Sequence, residues 1–165
     1  MKNKWTLIIT AALLTAASCR PEPPVFEPTY VDLDYPDHFP APDLPADNPL
    51  SEEGIKLGRH LFYDTRLSGD NTQNCASCHL QESNFAEPFQ YSTGIDGVQG
   101  DINAMVLSNM AWQQFFFWNG RKTSLEDQVR EPVINPIEMH ETWPNVIDKL
   151  SGDQRYLDMF AAAFG

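Results

Sequence analysis

Cysteine is scarce in this sequence, with three residues in a chain of 165. Cys19 directly follows the N-terminal leader, so Cys75 and Cys78 are the only pair beyond it. One pair is too few for the disulfide framework of a small exported domain. A structural zinc site needs four ligands, usually from two such pairs, so one pair is too few for that as well. A thioredoxin-type redox pair would need a βαβ context, and the surrounding sequence has none.

Basic residues are also few: Lys and Arg total 11, against 23 Asp and Glu, and the formal charge is −12. Loss of Lys2 and Lys4 with an N-terminal signal would take the charge from −12 to −14. This acidity argues against nucleic acid and anionic lipid as partners and favours basic proteins. Acidity that only keeps an exported protein soluble would give the same composition.

The sequence has no internal repeat, and it has no long hydrophobic run after its leader. Lys2 and Lys4 precede a mostly apolar run over 5–17 that is too short for a good membrane span. The run ends in small residues before Cys19 and resembles a bacterial lipoprotein processing site. We therefore predict a signal peptide over 1–18 and a lipidated Cys19, with plain secretion as the alternative. Both place the protein in the periplasm, where a lipid anchor would be its only contact with the membrane.

Proline dominates the next stretch, and residues 19–49 are predicted to be a Pro-rich linker. Nine prolines lie between Arg20 and Pro49. Each proline fixes φ and removes a backbone donor, so we expect an extended and largely unstructured tether. The folded part is then 50–165, the size of one small domain.

One short stretch carries clear chemistry: Cys75-Ala76-Ser77-Cys78-His79. Cys-x-x-Cys-His is the attachment site of a c-type haem, in which the two thiols add to the haem vinyl groups. The adjacent imidazole is the proximal ligand of the iron. The sequence therefore predicts one covalent haem c, which itself forms part of the apolar core. Export agrees with this, because c-type attachment takes place outside the bacterial cytoplasm.

The sixth ligand of the iron decides between two functions. A Met or His at that position makes an electron carrier, whereas an open position allows peroxide to bind. The candidate ligands are Met105, Met110, Met139, His60 and His140. The alternative for each methionine is packing in the core, and the alternative for each histidine is a position at the surface.

The secondary structure is predicted to be mainly α, a cytochrome c-like haem domain with long loops. Ser51 caps a first helix that has Glu52 and Glu53 in its first turn. Ser124 begins a second helix, and Thr142 caps a third. The apolar positions expected to face inward are Ile55, Leu61, Phe62, Leu125, Val129, Val146, Ile147, Leu150, Tyr156, Met159, Phe160 and Phe164.

Several segments carry a family resemblance. Residues 58–68 resemble the Leu-Phe-x-Asp-x-Arg-Leu-Ser lead of bacterial di-haem cytochrome c peroxidases. Residues 117–121, Phe-Trp-Asn-Gly-Arg, are similar to the Phe-Trp-Asp-Gly-Arg of that family, and 125–139 match its Leu-Glu-Asp-Gln, Pro, Asn-Pro and Glu-Met. The matches cover nearly all of 48–165 in order. They resemble the N-terminal, peroxidatic haem domain, which MauG-like proteins share.

The resemblance implies reduction of hydrogen peroxide with electrons from a small redox protein such as a cytochrome c. It implies that His79 is the proximal ligand and that Gln128 and Glu138 are distal-pocket residues. Pro132 would shape that pocket, and Trp118 would lie between two haems as an electron relay. A carboxylate such as Glu138 can move a proton between the two peroxide oxygens. An amide such as Gln128 can orient the peroxide.

The resemblance also implies that Asn103 is a ligand of an interdomain calcium, and that the full-length protein forms a homodimer. Two departures stand out. Ile95 occupies the place of a His that is the removable sixth ligand in many members, so we expect an open iron. The chain stops at Gly165 before a second Cys-x-x-Cys-His, so we expect a truncated di-haem protein, with a fragment or a stand-alone mono-haem domain as alternatives.

Three other functions stay open from the sequence. One is a mono-haem electron-transfer cytochrome c, and another is MauG-like oxidation of a protein substrate. The third is a non-catalytic remnant whose haem is structural.

Overall fold

The computed structural model describes residues 26–165 and shows a mainly helical chain. The predicted signal peptide and Cys19 lie outside the described residues. Residues 26–165 contain four α-helices, which we number α1 to α4: Glu52–Phe62, Leu125–Ile134, Trp143–Ser151 and Gln154–Phe164. Four short 3-10 turns lie between them, and the described residues form isolated β-bridges but no sheet. The predicted mainly α, cytochrome c-like fold with long loops is confirmed.

The helices begin where the sequence places side-chain caps. Ser51 accepts a hydrogen bond from the Gly54 amide at the start of α1. Ser124 accepts from Asp127 at α2, and Thr142 accepts from Asn145 at α3. These caps satisfy backbone donors that have no partner within the helix. The three predicted helix starts are confirmed. They could be predicted from the sequence because capping depends on residues only three apart in the chain.

The core forms where α1 packs against α4 and α3 packs against both α4 and the turn Thr65–Leu67. Leu57 of α1 is buried there, four residues before the half-buried Leu61. Ile55 was predicted to face inward and is exposed, because it lies two residues from Leu57 and therefore on the opposite side of the helix. The buried apolar cluster is Leu57, Leu67, Val133, Met139, Val146, Leu150, Tyr156 and Ala163.

Two polar networks fix the segments that enter this core. Asp64 accepts hydrogen bonds from Arg66 and from the Tyr156 hydroxyl, and Arg66 also pairs with Asp153 at 3.0 Å. Buried Glu141 pairs with Lys149, whose ammonium also donates to the Ser68 carbonyl. Buried charges are tolerated only when paired in this way. The networks join α3 and α4 to the stretch just before the haem motif.

The described part of the Pro-rich segment has no helix, makes two hydrogen-bonded turns, and is held to the domain at two places. At the first, the Glu52 amide donates to Thr29, and the Thr29 amide donates to the Glu53 carboxylate at 2.9 Å. At the second, the Trp112 indole donates to the Pro40 carbonyl at 2.8 Å. The rings of Tyr35 and Phe39 pack edge-on against the same indole, with centroids 5.6 and 5.1 Å away.

Candidate functional site

The haem motif forms a single tight turn, the 3-10 helix Cys75–Ser77. The Asn74 side chain donates to the Tyr63 carbonyl at 2.9 Å and so fixes the start of the turn against the end of α1. The His79 amide donates to the Cys75 carbonyl at 3.0 Å and closes the turn. The local geometry therefore brings the two thiols and the imidazole together.

Both thiols are free and half-buried. Burial raises the pKa of the Cys75 thiol, and burial together with the nearby charge of Glu87 raises the pKa of Cys78 to about 11. The thiols are thus neutral at pH 7. Two free thiols and one imidazole are the donors that c-type haem attachment requires, so the residues fit this group. Between residues 26 and 165 no cluster of three or more His, Cys, Asp or Glu is arranged to hold a bare metal ion.

His79 is oriented by the backbone. Its Nδ1 lies 3.2 Å from the Phe85 carbonyl oxygen, which also accepts from the Leu107 amide at 3.2 Å. This contact assigns the proton to Nδ1 and leaves Nε2 as the nitrogen for an iron. Burial lowers the pKa of His79, and the carbonyls of Phe85 and Met105 oppose that shift. The ring is therefore neutral, as an iron ligand must be.

Glu138 lies in the turn after α2, a turn built on Asn135. The Asn135 side-chain Nδ2 donates to Glu138 Oε1 at 2.9 Å. The backbone amide of Glu138 donates back to the backbone carbonyl of Asn135 at 3.0 Å. Burial raises the pKa of Glu138, while Asn135 and the charge of Arg121 oppose the shift. The charge of Glu138 in turn raises the pKa of Cys78, so the carboxylate lies within electrostatic reach of the haem motif.

The loop around Ile95 packs directly on the Glu138 turn. The Ile95 amide donates to the Glu138 carbonyl at 2.9 Å. Gly94 has no space for a side chain, since a Cβ there would lie 2.2 Å from the Ile137 carbonyl oxygen. Ile95 itself is half-buried in this loop. This loop thus carries a hydrocarbon side chain, Ile95, next to the Glu138 backbone.

The other two predicted pocket residues, Gln128 and Pro132, both lie on α2. Gln128 is half-buried on this helix, four residues before Pro132. Because proline has no amide hydrogen, the Gln128 carbonyl lacks its usual helical partner there. The Pro132 carbonyl accepts from the Met139 amide at 3.2 Å and so connects the helix to the Glu138 turn.

Trp118 and Asn103 are brought together, on a different segment from Glu138. The Trp118 side chain is 65% exposed, and its indole donates to the Asn103 carbonyl at 2.9 Å. The Asn103 side chain donates to the carbonyls of Glu87 and Phe89. Trp118 therefore connects through Asn103 to the segment that follows the haem motif. The calcium role of Asn103 stays a prediction.

The candidate sixth ligands lie in different surroundings. Met139 is buried in the core, where it packs as an apolar side chain. His60 is exposed on α1, and exposed His140 pairs with Asp96 at 2.6 Å. Met105 and Met110 are half-buried. The carbonyl of Met105 lies near His79.

Sequence reasoning missed three residues beside the motif: Phe85, Glu87 and Ser92. The Ser92 hydroxyl donates to Glu87 Oε2 at 2.5 Å, and the Phe85 carbonyl orients His79. No local pattern marks these residues. The Cys-x-x-Cys-His motif could have directed attention to the residues that fold back onto it.

Between residues 26 and 165, none of the helices combines the length and apolar character needed to cross a bilayer.

The chain is similar to proteins of one known family. The family model described as di-haem cytochrome c peroxidase matches residues 52–165. Cytochrome c peroxidase Ccp of Escherichia coli is 34% identical over 126 residues, which cover 76% of this chain and 27% of that protein. Methylamine utilization protein MauG of Methylorubrum extorquens is 35% identical over 121 residues, which cover 73% of this chain and 34% of that protein.

A solved structure shares the fold as well. The crystal structure of a MauG-like protein associated with microbial copper homeostasis matches with a TM-score of 0.76 and 39% identity, over 81% of this chain and 40% of that chain. The chain thus spans well under half the length of the proteins it matches. From the family match over most of its length, we conclude that the chain belongs to the di-haem cytochrome c peroxidase family.

Proposed function

We propose that this domain carries one haem c and reduces hydrogen peroxide with electrons from a small redox protein. Cys75 and Cys78 form the thioethers, and His79 is the proximal ligand through Nε2. One observation carries the proposal: this motif is accompanied by a half-buried carboxylate, Glu138, whose negative charge raises the pKa of Cys78. Family membership supports the same assignment.

The reaction consumes two electrons and two protons for each peroxide: H₂O₂ + 2 e⁻ + 2 H⁺ → 2 H₂O. When bound, the haem supplies the iron at which peroxide binds and accepts electrons. The chain must move a proton from one peroxide oxygen to the other so that water can leave. Glu138 is suited to this because Oε1 is held by Asn135, which leaves Oε2 to accept and return the proton.

The remaining residues orient the peroxide or carry electrons to the haem. The Gln128 amide orients the peroxide by hydrogen bonds, and Pro132 shapes the wall of the pocket. Trp118, exposed and hydrogen-bonded to Asn103, relays electrons toward the haem segment. Ile95 would not bind the haem iron, because a hydrocarbon side chain cannot ligate iron. The protein is periplasmic, and Cys19 is its lipid anchor. In the full-length protein, Asn103 binds a calcium ion and two copies form a homodimer.

Covalent attachment is tested by expression in the periplasm with haem-maturation machinery. The full chain should keep a haem stain after denaturation, and a Cys75→Ala, Cys78→Ala double variant should lose it. A double variant that still stains covalently would contradict the proposal. Turnover is measured as peroxide consumption in the presence of a reduced small cytochrome c.

A second candidate function is MauG-like oxidation of a protein substrate. Ile95 favours it, since an open iron needs no reductive activation, and so does the likeness to a MauG-like protein. The oxidised protein should be high-spin and bind azide readily under either candidate. A low-spin spectrum with a sulfur-to-iron charge-transfer band would instead indicate an electron carrier with a methionine ligand, Met105 or Met110.

A further inference from the structure

The chain folds back on the haem histidine directly after the motif. Leu80 and Ala86 form an isolated antiparallel bridge in which the Leu80 amide donates to the Ala86 carbonyl at 3.2 Å. In an antiparallel pair the neighbouring positions also lie opposite each other, so this register puts Glu87 opposite His79. Side chains in such positions lie close together on one face.

Two consecutive residues in left-handed conformation make this return possible. Asn84 has φ of 56° and Phe85 has φ of 58°. For a bulky residue such as Phe85, this conformation is strained and is rarely adopted without compensation. Here it directs the Phe85 carbonyl to His79 Nδ1, at 3.2 Å, and lets the chain return past the histidine as far as Glu87. The strain thus has a structural result at the haem ligand.

The Glu87 carboxylate is held in place from other segments. Its Oε2 accepts from the Ser92 hydroxyl at 2.5 Å and from the Ala104 amide at 3.4 Å. Its backbone carbonyl accepts from the Asn103 side chain at 3.1 Å. In the part of the chain that the structure describes, no Lys or Arg forms an ion pair with Glu87. The half-buried charge is therefore fixed and not neutralised by a basic side chain.

Electrostatics support a close approach to the motif. The charge of Glu87 raises the pKa of Cys78 and opposes the lowering of the pKa of His79 by burial. A negative charge near a haem stabilises the higher oxidation state of the iron through its field, without a hydrogen bond to the histidine.

We propose that Glu87 is a positioning residue for the haem histidine, a fixed negative charge opposite His79 that favours the oxidised iron and lowers the reduction potential of the haem. The inference rests on the haem attachment of the proposed function. It does not depend on peroxide turnover, so a protein that binds haem but is inactive as a peroxidase would still test it.

The test is a spectroelectrochemical titration of the haem-loaded full chain at pH 7. Glu87→Gln removes the charge and keeps the size and an acceptor for Ser92. At a fixed solution potential, its ratio of oxidised to reduced haem should fall about tenfold, which corresponds to 59 mV for a one-electron couple. Glu87→Asp keeps the charge and should return most of the shift, although its shorter side chain strains the Ser92 contact.

The matched control is Glu82→Gln, the same change at an exposed site in the turn Gln81–Ser83. It should alter the ratio less than twofold, because water and salt screen exposed charges. Should Glu87→Gln fail to retain haem, Ser92→Ala serves instead. It frees the carboxylate to move into solvent and should lower the ratio about threefold.

Two results would overturn the inference. One is a Glu87→Gln or Ser92→Ala protein with attached haem and an unchanged ratio. The other is an equal change in Glu82→Gln, which would indicate a general effect of surface charge.

Discussion

Glu138 is the residue whose chemistry can be tested most directly. If Glu138 moves the proton between the peroxide oxygens, Glu138→Gln should slow peroxide consumption by about 10²–10⁴-fold, the usual worth of general acid–base assistance. Azide binding should stay nearly unchanged, because the pocket keeps its shape. The control is Glu126→Gln, an exposed acid in the first turn of α2. A loss below about threefold for Glu138→Gln would exclude the role.

The pKa of Glu138 adds a pH dependence to this test. Burial raises that pKa above its usual value of 4.5, so the carboxylate is protonated over a wider acidic range. Only the deprotonated form can take the peroxide proton. Peroxide consumption by the wild type should therefore decline as the pH falls through the raised pKa, and Glu138→Gln should lack that decline. Rate measurements from pH 4 to 8 with both proteins check this.

Asp64 has the opposite shift and acts on stability. Burial opposes its charged form, but hydrogen bonds from Arg66 and Tyr156 outweigh burial and lower the pKa from 3.8 to about 2. A lowered pKa stabilises the fold above pH 3.8, and this stabilisation is lost as the pH falls toward 2. Asp64→Asn should thus reduce the free energy of unfolding by about 2 kcal/mol at pH 7, with the difference shrinking below pH 4.

Urea unfolding at several pH values measures this difference. Asp101→Asn, at an exposed position, is the control and should change the free energy of unfolding by less than about 0.5 kcal/mol. A constant difference between wild type and Asp64→Asn from pH 7 to pH 2 would mean that the ionisation of Asp64 has no part in its effect.

The individual residues differ in how far sequence could identify them. Cys75, Cys78 and His79 are adjacent in the chain, so their pattern alone predicts a haem site. Glu87 escaped notice because its position depends on the left-handed Asn84 and Phe85, and although Asn adopts this conformation readily, Phe rarely does.

Among the structural elements, the loop carrying Ile95 and the turn carrying Glu138 depend on each other. In Gly94→Ala, the new Cβ would meet backbone oxygens of Ile137 and Glu138 at 2.2 and 2.7 Å. The turn must move, so we expect a loss of at least about 2 kcal/mol in the free energy of unfolding. Azide affinity should weaken as well. Gly58→Ala is the matched control, since a Cβ there meets nothing within 4 Å.

In Gly58→Ala the free energy of unfolding should rise slightly, because alanine favours a helix over glycine by about 1 kcal/mol. Equal behaviour of the two alanine variants would contradict the close packing at Gly94.

The segment before α1 also behaves as an element, although it has no regular structure. Trp112→Phe removes the hydrogen bond to Pro40 and keeps an aromatic ring for Tyr35 and Phe39. It should therefore lower the free energy of unfolding by about 1 kcal/mol. Trp112→Ala removes the ring contacts as well and should cost about 3 kcal/mol or more. Urea unfolding measures both. Phe115→Ala, at an exposed ring, is the control and should cost less than about 0.5 kcal/mol.

Helix starts were predictable because Ser51, Ser124 and Thr142 act on amides three residues away. The inward faces were less so. Ile147 is exposed and Val146 buried, although both are apolar, because the position of α4 decides which side of α3 is covered. The docking of Tyr35 and Phe39 joins segments far apart in the chain, and isolated aromatics among prolines carry no periodic signal.

At the scale of the whole molecule, the formal charge of −12 predicts how the protein would meet the electron donor of the proposed function. With a basic small cytochrome c as donor, kcat/KM for the donor should fall about tenfold between 20 and 200 mM salt, because screening removes electrostatic steering. The KM for hydrogen peroxide, a neutral molecule, should not change. A donor rate independent of salt would contradict steering by the acidic surface.

The contact between Trp112 and Pro40 also bears on the order of assembly. It joins residues 72 positions apart, and the haem motif lies inside the loop that it closes. Closing such a loop costs about 4 kcal/mol of chain entropy, so the contact forms late in folding. Cys75 and Cys78 therefore lie within the segment that this contact closes, between Pro40 and Trp112.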